Sequence, residues 1–260
     1  MLPGILLEVA VVVVSLCIVG AVTIVGRTRL TALRTELKPR LRESGPYLGV
    51  LIVVLLINSL VRDSAQAISG DLGWNITGSI EAIEGGFVAA IQSFQTDLLT
   101  MYFSNIYVFG YVFLLVFPLL AYAALSERDT FRQVVTAYSI NYFVGLLLYI
   151  IFVAYGPRNV GAAENLLYAL DSNPEYQFLT AAVNTATNVF PSLHTSLSAT
   201  VAIFAFKTRE SYPLWFGVAT LLATSVVIST MYLGIHWGID VLVGLGLAAF
   251  AVSVATRYVD

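Results

Sequence analysis

Charge is what this sequence has least of. Only 11% of its 260 residues are Asp, Glu, Lys or Arg, against about 25% in an ordinary soluble domain. That gap excludes a water-soluble globular protein. The formal net charge of −3 excludes a nucleic-acid binder driven by overall basicity. A single cysteine, Cys17, excludes an internal disulfide and a thiolate zinc site. The chain holds only two histidines, His194 and His236. What is abundant is apolar: 58% of the residues are hydrophobic, and the mean hydropathy is +0.84. In such a chain every polar residue inside an apolar run needs a reason.

A membrane-spanning helix takes about 20 mostly apolar residues. Seven runs approach that length: 4–26, 47–61, 101–125, 134–155, 191–206, 213–233 and 239–256. The second and fifth are short. The first has no basic residues before it and no small-residue cleavage site after it, so it reads as a retained anchor. With seven spans, eleven of the 13 basic residues fall on one side, in 27–46, 126–133, 207–212 and the C-terminal tail. Arg62 and Arg158 fall on the other. The positive-inside rule then places the N-terminus outside and the C-terminus in the cytoplasm. The expected architecture is all-α: a polytopic transmembrane bundle forming a single membrane domain over 1–260, with 4–26 as an additional N-terminal span.

Two long stretches lie on the outer side. In 62–100, Ile80, Ile83, Phe87, Ile91 and Phe94 recur at spacings of three and four. That is an amphipathic helix, either lying on the outer membrane interface or packed as a cap on the other helices. Asn75-Ile76-Thr77 matches a glycosylation sequon. The second stretch, 156–190, is polar and holds Glu164, Asp171 and Glu175.

Three polar clusters sit at outer ends of the spans. Arg158 follows Tyr155-Gly156-Pro157, where the fourth span emerges. A guanidinium is planar, permanently charged and bidentate toward phosphate, though a basic side chain at a membrane edge also anchors headgroups. Phe190-Pro191-Ser192-Leu193-His194 opens the fifth span. Pro191 suits a first helical position, and a helix N-terminus beginning at Ser192 attracts phosphate. A Pro-initiated helix with a surface histidine fits the same residues. The third cluster runs from Ser229 through Thr230 and His236 to Asp240. On a helix His236 and Asp240 share a face. The carboxylate either orients an imidazole base or nucleophile or makes a structural contact between helices. Together the clusters hold what phosphoryl transfer through histidine requires: cations, a nucleophile with its orienter, and an acid for the leaving group.

These residues resemble the type 2 phosphatidic acid phosphatase superfamily. Pro191-Ser192-Leu193-His194 resembles its PSGH motif, and 229–240 matches the spacing of its S-R-x5-H-x3-D motif. The likeness covers roughly 134–257, and it implies a six-helix core with one extra helix. Leu193 stands where the family has glycine, Thr230 where it has arginine, and Arg158 follows Pro157 instead of preceding it. With these departures, 190–194 together with 230–240 resembles inositol phosphorylceramide synthases and, more distantly, sphingomyelin synthases. A phosphodiester carries less charge than a phosphomonoester, so fewer cations suit headgroup transfer.

The resemblance implies that His236 attacks phosphorus, Asp240 orients it, and His194 serves as acid and then base. Arg158, Ser192 and Thr230 would bind the phosphate. It implies no metal and no cofactor. The substrates would be a membrane phospholipid and a lipid or alcohol acceptor, at a site on the outer face of the plasma membrane. A lipid phosphate or polyprenyl pyrophosphate phosphatase of the same superfamily is the alternative. A metal-dependent hydrolase would use His194, His236 and Asp240 as ligands. A non-enzymatic transporter or scaffold with a degenerate site is the reading from another class.

Overall fold

A computed structural model describes residues 2–169 and 189–259, with the side chains of residues 2–3 and 62–72 outside the described set. Asp171 and Glu175 therefore lie outside the described residues, as do the side chains of Arg62, Asp63 and Asp71. Among the described residues the chain is almost entirely helical. In hydrocarbon each backbone N–H and C=O must be satisfied within the segment, and a helix does that locally.

The helices are α1 (Leu2–Gly20), α2 (Arg27–Leu72), α3 (Thr77–Glu84), α4 (Phe87–Gln92), α5 (Asp97–Asn105), α6 (Tyr111–Ala123), α7 (Asp129–Ile151), α8 (Leu193–Lys207), α9 (Pro213–Tyr232) and α10 (Gly238–Tyr258). Wide turns at Ala21–Val25 and Ile106–Gly110 extend α1 and join α5 to α6. Gly26, at φ +81°, lets the chain reverse between α1 and α2.

Among the described residues six helices are long and apolar enough to cross a membrane: Gly4–Val25, Arg27–Val61, Asp97–Ala123, Asp129–Ile151, Pro213–Tyr232 and Gly238–Tyr258. The fifth apolar run, 191–206, forms α8, which has only 15 residues. That is about 22 Å of helix, short of a hydrocarbon core. It is packed inside the bundle against α7, α9 and α10, with Leu197, Val201 and Phe204 fully buried. The basic stretch 27–46 is not a loop: it is the first part of α2, and Pro39 and Pro46 lie within that helix.

The bundle interior is aromatic at one level and polar at another. The rings of Phe113, Phe117 and Trp215 pack together, and Trp215 Nε1 donates to the Tyr122 hydroxyl at 3.1 Å. Buried Asn141 on α7 donates to Ala137 O at 2.8 Å and to Thr200 Oγ1 at 3.1 Å. Ser196 donates back to the Asn141 carbonyl oxygen. Amide and hydroxyl groups so paired tie α7 to α8 where hydrophobic driving force between helices is weak.

The two ends of the bundle differ. At one end Arg40 on α2 donates to the carbonyls of Ala123 and Leu125, Arg128 pairs with Glu36 and Glu43, and Arg29 donates to Ser211 O at 2.9 Å. At the other end β1 (Trp74–Asn75) pairs in parallel with β2 (Phe152–Val153). There α3 and α4 form a cap.

The cap is two helices, not one, because Gly85 at φ +57° breaks it. Its inner edge is buried at Ile80 (4% exposed) and Val88 (1%). Its outer edge leaves Ile83 and Phe94 about three-quarters exposed (76% and 75%). The amphipathic pattern thus serves both packing and an exposed apolar rim. Gln92 fastens the cap. It donates to Glu164 O at 2.9 Å and Tyr232 O at 3.0 Å, and accepts from Glu164 N at 2.8 Å. Thr77, the sequon threonine, is buried and accepts from Tyr155 N at 3.0 Å.

Candidate active site

The three polar clusters meet beneath the cap. Their backbones touch directly: Arg158 N donates to Gly234 O at 3.1 Å, and Ser192 N donates to Asp240 O at 3.0 Å. Such approach needs glycine. A Cβ on Gly156 would stand 2.5 Å from Ile235 O, and one on Gly244 would stand 2.6 Å from Ser192 O. Gly234 combines φ +72° with a clash at 2.3 Å against Glu164 O. Leu193, where the family motif has glycine, fits because Gly145 on α7 leaves room for its side chain.

His236 is not on a helix. It sits in the turn after α9, held by its own N–H to Thr230 O at 3.0 Å. Asp240 is in the first turn of α10, whose N-cap is Trp237. The two side chains nevertheless meet, with His236 Nδ1 3.4 Å from Asp240 Oδ2. That is long for a hydrogen bond. Asp240 Oδ2 accepts from Trp237 N at 2.8 Å. His236 Nδ1 and Asp240 Oδ1 are each buried without a hydrogen-bond partner among the described residues. A small rotation would join them, and catalytic bonds are often loose before substrate binds. A backbone hydrogen bond also links His236 to Val189. Burial pushes the His236 pKa down to about 3, opposed by the Val189 bond and reinforced by Arg158. The imidazole is therefore neutral near pH 7, the state a nucleophile needs.

His194 lies in the first turn of α8, its ring centroid 6.1 Å from that of His236. Tyr107 and Tyr111 flank it at 4.5 and 4.4 Å. Tyr149 on α7 donates to Pro191 O at 3.1 Å. These tyrosines were invisible to motif spacing, since they stand in other helices.

Ser192 is the N-cap of α8, its hydroxyl accepting from Thr195 N at 3.3 Å. Pro191 therefore precedes the cap, and is not the first helical residue. The Thr230 hydroxyl donates to Val227 O at 2.8 Å. Arg158 donates to Asn165 Oδ1 at 3.1 Å. Burial lowers its pKa, and Tyr107 acts in the opposite sense. The structure thus brings His194, His236 and Asp240 together with Arg158 beside them, while Ser192 and Thr230 are engaged with their own helices. Among the described residues no three His, Cys, Asp or Glu side chains form a group that could hold a metal ion.

Residues 82–254 match the family model of the PAP2 superfamily. The chain belongs to the PAP2 superfamily. Its members are generally phosphatases or phosphotransferases. The match runs from the end of α3 through α4, all three polar clusters and α5 to α9, and into the last turns of α10. The chain is also similar to an uncharacterized protein of Methanocaldococcus jannaschii, 25% identical over 165 residues, covering 61% of this chain. The aligned part spans 62% of that relative's length. No solved structure matches the chain. For this PAP2 superfamily chain, the family match and the six long apolar helices make it an integral membrane protein.

Proposed function

We propose that the protein transfers a phospho-headgroup between lipids through a phosphohistidine, in the manner of an inositol phosphorylceramide synthase. The observation that carries this reading is the neutral, buried His236 beside Asp240, with His194 6.1 Å away ring to ring. His236 attacks the phosphorus of a donor phosphodiester through its nitrogen remote from Asp240. A P–N bond forms and the P–O bond to the leaving alcohol breaks; His194, which burial holds neutral with its pKa down at about 3, takes a proton from water as the negative phosphate enters and passes it to that oxygen. The acceptor hydroxyl then attacks phosphorus, His194 takes its proton, and the P–N bond breaks. Asp240 stabilises the imidazolium that develops on His236. Arg158 supplies the cation for the phosphoryl oxygens.

A site with one arginine and a threonine at position 230 carries less positive charge than the family motif. That suits a diester better than a monoester. We read this end of the bundle as facing outward from the plasma membrane, because Arg29, Arg40 and Arg128 gather at the opposite end. The single domain would then present its site to the outer leaflet, from which both lipids enter.

The test is mass spectrometry of lipid products from membranes expressing the protein, against a His236→Ala variant. Headgroup transfer predicts a new phospholipid that disappears in the variant. Purified protein given labelled phospholipid, with and without an acceptor alcohol, separates transfer from hydrolysis. Release of label to water without an acceptor would make it a phosphatase.

A further inference from the structure

The N-terminus of α10 stands next to the His236–Asp240 pair, and its free amides need acceptors. Two carboxylates take them. Asp240 accepts from Trp237 N. Glu84, more than 150 residues earlier in the chain, accepts from Gly238 N at 2.8 Å and from Ile239 N at 3.0 Å, one bond to each of its oxygens. Glu84 is the last residue of α3. It lies so close that a Cβ on Gly238 would stand 3.0 Å from the Phe87 ring and 3.4 Å from Glu84 Oε2.

We infer that Glu84 is a positioning residue for the His236–Asp240 pair, because it leaves Asp240 with only the Trp237 amide to cap and keeps the Gly238 and Ile239 amides from drawing its other oxygen away from His236. Amides and imidazole compete for the Asp240 carboxylate. Asp240 Oδ1 has no hydrogen-bond partner among the described residues, and neither has His236 Nδ1. They are available to each other only while the Gly238 and Ile239 amides are satisfied elsewhere. Without the Glu84 carboxylate those amides compete for Asp240, the nearest remaining anion at the positive end of the helix. The cap does not depend on this contact. It is fastened independently by the β1–β2 pair, by Thr77 to Tyr155, and by Gln92 to Glu164 and Tyr232. Glu84 therefore acts on the tautomer and orientation of His236 rather than on whether the cap folds.

The presence of only two histidines makes the test direct. The full-length protein, labelled with 15N-imidazole histidine and held in lipid nanodiscs, gives two sets of ring signals. In the wild type His236 is expected as a single tautomer, set by Asp240 on one side of the ring and the Val189 backbone on the other. Asp240→Asn marks the shift that follows when this partner is lost. Glu84→Gln, which keeps one acceptor oxygen but sets an NH2 against an amide N–H, should move the His236 signals toward that position and leave His194 unchanged. Glu81→Gln, on the exposed face of the same helix, should move neither. Should Glu84→Gln fail to fold, Glu84→Asp reaches the amides less well and should give a smaller shift in the same direction. Unchanged His236 signals in the folded Glu84 variants overturn the inference. So does an equal shift in Glu81→Gln, which leaves the Glu84 contact to α10 in place. A kinetic arm rests on the proposed function: Glu84→Gln should lower kcat for headgroup transfer roughly tenfold to a hundredfold at unchanged KM. If the wild type transfers no headgroup, that function fails while the tautomer measurement still decides the role of Glu84.

Discussion

The amide of Ser192 donates to the carbonyl of Asp240 across 3.0 Å. This one bond joins the turn that opens α8 to the first turn of α10, so His194 and Asp240 cannot shift independently. It exists because Gly244, one turn further along α10, carries no side chain. A Cβ there would lie 2.6 Å from Ser192 O, a backbone atom that cannot swing aside. Gly244→Ala should destabilise the protein by about 1–3 kcal/mol, read as a lower Tm in detergent, and should lower activity more than it lowers Tm suggests.

Asp240→Asn keeps the shape of the side chain and can still accept from Trp237 N. It removes the charge that supports a developing imidazolium on His236. Transfer should fall by roughly a thousandfold or more with little change in Tm. The rate of product lipid formation and the unfolding midpoint, measured on the same preparation, check this.

His236 is held neutral by burial, with its pKa lowered to about 3 from an unperturbed value of about 6.5. Between those values the unfolded chain binds a proton at this position and the folded chain does not. Stability from this group is therefore fully present above about pH 6.5 and is lost as pH falls toward about 3. His236→Gln should flatten that part of the stability–pH curve. The measurement is the difference in denaturation midpoint between wild type and variant from pH 7 to pH 4, so that the carboxylates common to both cancel.

Gln92→Leu removes three hydrogen bonds from a buried amide and strands the carbonyls of Glu164 and Tyr232. The cost should be about 1–3 kcal/mol, concentrated in the cap. Limited proteolysis should cut the segment around Gly85-Gly86 sooner than in the wild type, while cleavage elsewhere keeps its rate.

The spans were legible because hydropathy is written in consecutive residues, and the helices Asp129–Ile151 and Gly238–Tyr258 fall where two of the apolar runs do. The run at 191–206 yields a 15-residue helix whose surroundings are other helices; composition alone cannot tell a buried helix from a lipid-facing one. The closeness of His236 and Asp240 was legible from their spacing, yet it arises from a turn ahead of α10 and not from a shared helix face. The helical start at Pro191 was misplaced by two residues, because Ser192 outcompetes it by capping Thr195 N.

By itself, the sequence determined that the chain is a helical membrane protein and which residues stand together within each polar cluster, since both properties are local to about one or two helical turns or one bilayer crossing. Only the tertiary structure decided that Tyr107 and Tyr111 flank His194, that Gln92 ties the cap down, and that Glu84 caps α10 beside the candidate site. Those contacts join residues from about 80 to more than 150 positions apart. A hydrogen bond between distant segments depends on how whole helices pack, and no window of sequence carries that information.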